Sequence, residues 1–184
     1  MRNVNAATVR SLVPSALAAS LALGGLVVAA SSDPARAGTD FIERFTGSWK
    51  GEGRVLRNED GSTRGVACRV ENRQLENTSK TEGECRAMVI FRREVGSEIT
   101  LQPDGTFTGV YHGADNGAAE LVGSLRGDTL ELRMTYEKPI YGDRDAIMKI
   151  TNANDGTYSV AVYDDVDNEG EFEQVSLITF RKVD

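Results

Sequence analysis

One histidine, His112, two cysteines, Cys68 and Cys85, and one tryptophan, Trp49, are all the chain offers among the side chains that most often hold metals or carry reactions. No Ser-His-Asp arrangement, phosphate-binding glycine loop or paired Cys/His metal pattern can be assembled from them. A cysteine nucleophile would need His112 or another base beside it. The residues do not group into acid, base and nucleophile, so the expectation is a protein that is not an enzyme, with no catalytic residue, cofactor or metal. Basic residues are also short, 21 against 28 acidic. That excludes nucleic acid, whose phosphates need a basic face, and docking on anionic lipid.

The first 37 residues read apart from the rest. Arg2 and Arg10 stand in a polar leader, Ser15 to Ala30 is an apolar run, and Ala35-Arg36-Ala37 has the small-x-small form of a processing site. Residues 1–37 are therefore expected to be a secretory signal, with Gly38 the first mature residue. Pro14, Gly24 and Gly25 weaken the run as a spanning helix, so no stable membrane insertion is expected after cleavage. Without Arg2, Arg10, Arg36 and Asp33, 18 basic and 27 acidic residues remain. Residues 38–184 form one domain of ample size for a core, expected to be periplasmic or secreted. In an oxidising compartment Cys68 and Cys85 are expected to form a disulfide.

Helical spacing is confined to Phe41, Ile42 and Phe45, with Thr39 or Asp40 as N-cap and Gly47 as the stop. Beyond it the period is two, and ten strands follow. The first runs from Ser48 to about Arg57, with Trp49, Gly51, Gly53 and Val55 on one face. The second puts Val66, Cys68 and Val70 on its apolar side, and the third Gly83, Cys85, Ala87, Val89 and Phe91. A turn at Glu76-Asn77 sets Cys68 opposite Cys85, Val66 opposite Ala87 and Arg69 opposite Glu84. Pro103-Asp104-Gly105, Gly127-Asp128 and Asn154-Asp155-Gly156 close later hairpins, pairing Leu101 with Phe107, Leu121 with Met134 and Met148 with Val162. The last strand runs from about Glu173 to Val183, its inward side undetermined.

Tight turns alternate with longer connectors, the longest being 137–144. In an up-and-down meander this gives one closed end, plugged by the short helix, and one rim of longer loops. Such a meander closes into an antiparallel β-barrel and loses its edges. Here the chain resembles the calycin superfamily of lipocalins, fatty-acid-binding proteins and nitrobindin-like barrels. Gly47-Ser48-Trp49, after a short helix and opening the first strand, is similar to the lipocalin Gly-x-Trp motif, and Gly51-Glu52-Gly53 extends it in the nitrobindin-like manner. The resemblance implies an arginine of the last strand packed across Trp49, which is Arg181 here. The lipocalin Thr-Asp-Tyr motif is absent, and no histidine follows His112 to hold haem as nitrobindin-like barrels do.

The candidate function is non-catalytic binding of a small hydrophobic or amphipathic molecule inside the barrel, lined by Phe107, Tyr111, Met134, Tyr136 and Met148. Inward Gly51, Gly53, Gly83, Gly109 and Gly123 either open that cavity or relieve strain where strands coil. The alternative is an envelope protein partner, for an inhibitor or assembly module, met by Ile140 and Tyr141 on a rim loop. His112 has outward parity at the rim. The acidic loop 164–171 matches an EF-hand from Asp165 through Gly170, but places Ser176 where the bidentate glutamate belongs.

Overall fold

The computed structural model describes residues 34–56, 61–87, 91–114 and 117–183. The expected signal up to Asp33, Arg57, Asn58-Glu59-Asp60 and Val89 lie outside these residues. One helix, α1 (Pro34–Glu43), precedes ten strands: β1 (Gly47–Leu56), β2 (Thr63–Leu75), β3 (Thr78–Ala87), β4 (Phe91–Leu101), β5 (Thr106–Ala114), β6 (Gly117–Arg126), β7 (Thr129–Ile140), β8 (Asp143–Thr151), β9 (Thr157–Asp164) and β10 (Glu173–Lys182). Every strand pairs antiparallel with its sequence neighbours, and β1 pairs with β10 to close the barrel. Closure leaves no unpaired edge.

Alternation sets the registers, because a slip of one residue would turn an entire apolar face to water. Cys68 faces Cys85, Val66 faces Ala87 and Arg69 faces Glu84. Leu101 faces Phe107, Leu121 faces Met134 and Met148 faces Val162. The Cys68–Cys85 disulfide is formed. Phe91, expected at the end of the third strand, instead opens β4 and faces Ala87.

The closed end is built by turns and helix together. Asp104 and Asp155 each accept the backbone N–H and the hydroxyl two residues on, from Thr106 and Thr157, which is how a short acidic side chain organises a turn. Against these turns α1 buries Phe41, Ile42 and, just beyond its end, Phe45. Arg44 donates to Asp128 Oδ1 and to the Asn152 carbonyl, each at 2.6 Å, tying the helix exit to two hairpin ends. Trp49 Nε1 donates to the Phe45 carbonyl at 2.6 Å. Tyr158 stacks on Phe180 and meets Phe45 and Trp49 edge-on.

Three expectations are corrected here, and the alternative left open for the inward glycines, third below, is decided. First, the helix begins at Pro34 and crosses Ala35-Arg36-Ala37. Proline suits the first helical position and alanine favours helix, and Thr39 bonds back to the Ala35 carbonyl rather than capping. Second, Arg181 does not cover Trp49. Phe180 turns inward to stack on Tyr158, so Arg181 faces out opposite Lys50, and Lys182 holds its ammonium 5.6 Å from the Trp49 ring centre.

Third, the inward glycines do not open a cavity. A Cβ at Gly53, Gly83, Gly109 or Gly123 would lie 1.9–2.2 Å from a carbonyl oxygen of the neighbouring strand, and one at Gly51 would strike the Phe180 ring at 2.6 Å. They admit backbone and aromatic atoms where the strands coil. Fourth, 137–144 is not a long loop. β7 extends to Ile140, but its ladder with β8 shifts register between Thr135 and Ile140, after which Ile140 pairs with Asp143 across a tight Tyr141-Gly142 turn; Tyr141 and Gly142 have positive φ.

Candidate functional site

Between the plug and the rim lies an inner cavity of about 110 Å³. Phe41, Ile42 and Phe45 form its floor, and Val70, Ile99, Leu130, Ile150 and Phe180 are among its walls. One wall is polar. Asn72 Nδ2 donates to Ser79 Oγ at 2.9 Å and to Thr81 Oγ1 at 2.6 Å, with Ser97 beside them on the lining. Asn72 and Ser79 are buried, and their mutual bonding offsets the cost of removing amide and hydroxyl from water.

Above it a wider mouth of about 650 Å³ opens at the rim. Cys85, Val95, Tyr111 and Ile178 line both spaces and form the waist between them. The mouth carries Arg64, Arg92 and Arg93, with Phe91, Leu56, Ile140 and Tyr141, and no carboxylate lines it among the described residues. Arg64 lies over the Phe91 ring at 5.7 Å, and Arg93 Nη1 donates to the Gly113 carbonyl at 3.3 Å. Burial pushes the Tyr111 phenol above its ordinary pKa, opposed in part by Arg93. It stays protonated at neutral pH, a donor facing the waist.

The five residues expected inside separate into two groups. Tyr111 and Met148 line the inner cavity. Phe107, Met134 and Tyr136 are buried in packed core and touch neither space; Phe107, for example, abuts the helix at Gly38. Ile140 packs on the core and Tyr141 lines the mouth, so the expected rim handle turns inward. His112 is exposed on the outer wall.

Arg64, Arg93 and the Asn72–Ser79–Thr81 wall were not singled out from sequence. The signal for the arginines was present, since Arg64 continues the inward series Val66, Cys68, Val70 and Arg93 the series Val95, Ser97, Ile99. Charge at an inward position is easily passed over when only apolar residues are traced.

The acidic loop folds over the rim beside β8 and β9. Asp165 accepts the Glu169 and Gly170 N–H groups, and Asn168 Nδ2 donates to the Tyr141 carbonyl, joining two rim connectors. Asp164 is 1% exposed and its Oδ1 has no hydrogen-bond partner. Burial, then Asp143 and Asp165, push its carboxyl up to about 6. Among the described residues no group of three or more His, Cys, Asp or Glu is placed to hold a metal ion.

No known family profile matches the sequence, and no curated protein matches it at a significant level. Solved structures do match. Rv2717c from M. tuberculosis superposes with a TM-score of 0.59 at 10% identity, over 80% of this chain and 98% of its own. The likeness is one of fold, to the closed antiparallel barrel described above. The S-type phycobiliprotein lyase CPES from Guillardia theta superposes with a TM-score of 0.56 at 14% identity, over 79% of this chain and 92% of its own. This second likeness corrects the expectation that the protein is not an enzyme. A protein of similar fold is a lyase, so the fold excludes no catalysis.

Proposed function

We propose that the chain is exported and that its barrel takes up a small hydrophobic or amphipathic molecule through the mouth, past the waist and into the inner cavity. The observation that carries this reading is the continuous lining. One end is sealed by α1, the other is open, and the same four residues border both spaces. A mouth of this size lies within the range of small-molecule sites; the inner cavity, at about 110 Å³, is smaller than the roughly 150 Å³ that takes up benzene and would receive only a small apolar end of the ligand. Tyr111 and Met148 remain the interior contacts from the sequence-based set.

Export is supported by the leader composition and by a disulfide, which persists in oxidising compartments. No helix among the described residues is long and apolar enough to cross a membrane. Outward positions of β1 carry Lys50, Glu52 and Arg54, unlike the apolar band of a lipid-facing strand. Cleavage after Ala37 would remove the first turn of α1 and leave Gly38, packed against Leu101 and Phe107, as the helix start. N-terminal sequencing of the exported protein tests that boundary.

Native mass spectrometry of the oxidised protein, purified from its own host without detergent, tests uptake. The expected result is an excess mass lost on denaturation. Val95→Trp, which obstructs the waist, should remove it. A bare mass in both proteins would overturn the reading.

A further inference from the structure

We propose that the polar wall of the inner cavity is a subsite for one uncharged carbonyl oxygen, so that the molecule taken up is a small neutral carbonyl compound whose oxygen lies close to its apolar inner end. This rests on the interior-uptake reading above and adds the chemical class and orientation of the ligand.

The wall is a row set by strand register. Asn72 of β2 faces Thr81 of β3, and Thr81 faces Ser97 of β4. They lie on the inward face with Val70, Cys85 and Ile99, so the row crosses two strand spacings, roughly 10 Å, of cavity wall. Along β4 the next inward residue toward the rim is Val95 at the waist, and the next toward the plug is Ile99, each about 7 Å away. A ligand oxygen at the row therefore sits below the waist, with the apolar tip directed to the Phe41, Ile42 and Phe45 floor.

The hydrogen bonds fix what this row still offers. Asn72 Nδ2 donates to Ser79 Oγ at 2.9 Å and to Thr81 Oγ1 at 2.6 Å, and Asn72 Oδ1 accepts from Ser79 at 3.2 Å. Thr81 accepts in this network, so its own proton is left to donate, and Ser97 beside it brings a second hydroxyl onto the lining. Donors to spare beside an engaged amide carbonyl suit an acceptor. Among the described residues no Arg, Lys, Asp or Glu lines this cavity, so a charged group would lose its hydration without a counter-charge. Leu130, Met148 and Val160, on β7, β8 and β9, make the facing lining apolar. Polar contact comes from one side only, and a few placed polar groups in an apolar pocket are what orient a ligand. Ordered water also satisfies hydroxyls in such a cavity, and the experiment separates the two cases.

Headspace chromatography over the oxidised protein measures uptake of methyl hexyl ketone and of its isostere with a methylene group in place of the carbonyl oxygen. With each affinity referred to the ligand's own partition from water into hexane, the parent protein should favour the ketone by about tenfold, the scale of one buried hydrogen bond. Ser97→Ala removes a hydroxyl that lies outside the Asn72 bonds, and should erase most of that preference while leaving isostere binding and the thermal transition by circular dichroism unchanged. Ser97→Thr, which keeps the hydroxyl, should retain it. No ketone preference in the parent, or one that survives Ser97→Ala, would overturn the subsite while leaving interior uptake standing. Failure of both ligands to bind would overturn the uptake reading and the subsite with it.

Discussion

The two ends of the barrel are built on opposite principles. At the closed end α1, the Phe45–Trp49–Tyr158–Phe180 cluster and the Arg44 contacts leave few polar groups unmatched and little space. At the mouth, three arginines and the exposed Phe91 surround open volume. Stability is concentrated where nothing can enter, which frees the other end to carry charge and space. Substitutions at the closed end should therefore unfold the protein, and those at the mouth should alter what it binds.

The largest effect is expected between the ends, in the barrel wall. Gly123→Leu drives a side chain into the Glu131 carbonyl and should leave no cooperative thermal transition by circular dichroism. Next is the plug. Phe41→Ala removes a fully buried ring and should cost about 3–5 kcal/mol in urea unfolding. The disulfide spans the division, since Cys85 borders both spaces. Replacing both cysteines by serine should cost about 3 kcal/mol in the chain-entropy account, seen as a lower denaturation midpoint.

Asp164 sharpens the comparison from the rim. Its folded pKa of about 6 lies above the ordinary value of 3.8, so the folded state holds a proton that the unfolded chain has released. Stability from this group is greatest below about pH 4 and is lost as pH rises toward 6. Asp164→Asn should stabilise at neutral pH by about 2 kcal/mol and flatten that part of the profile, measured as the difference in urea midpoint between the two proteins from pH 4 to pH 7. Glu82 and Glu84, lowered by hydrogen bonds from Lys80 and Arg86, act in the opposite sense in acid; the difference between variant and parent removes them. The smallest effect on stability belongs to Arg64→Gln, within about 1 kcal/mol, since Arg64 is half-buried and gives up its contact with the Phe91 ring.

The closed end was legible in the sequence because each of its features has a local signature. Glu76-Asn77, Gly127-Asp128 and the two Asp-Gly turns fixed strand pairing, and alternation fixed which residues meet. The mouth was not, because its features depend on how far strands extend and coil. β7 extends through Lys138 and Pro139 as an irregular stretch, its register with β8 shifting between Thr135 and Ile140, before the Tyr141-Gly142 turn reverses the chain. The inward glycines face the interior as alternation requires, yet only the approach of Leu177, Arg69, Glu98 and Glu131 carbonyls shows that they admit backbone rather than ligand. The last strand was ambiguous until Phe180 met Tyr158, a contact between distant segments that assigns the Trp49 cover to Lys182.

The seam between β1 and β10 has a consequence in time. The first strand cannot complete its pairing until the last has been made, because Trp49 waits for Lys182 and Gly53 for Ile178. Contacts this distant in sequence slow folding, since the chain must lose loop entropy before gaining them. A growing chain thus remains unsealed until β10 has emerged. Trp49, wedged at that seam beside Tyr158, would report the closure by its fluorescence.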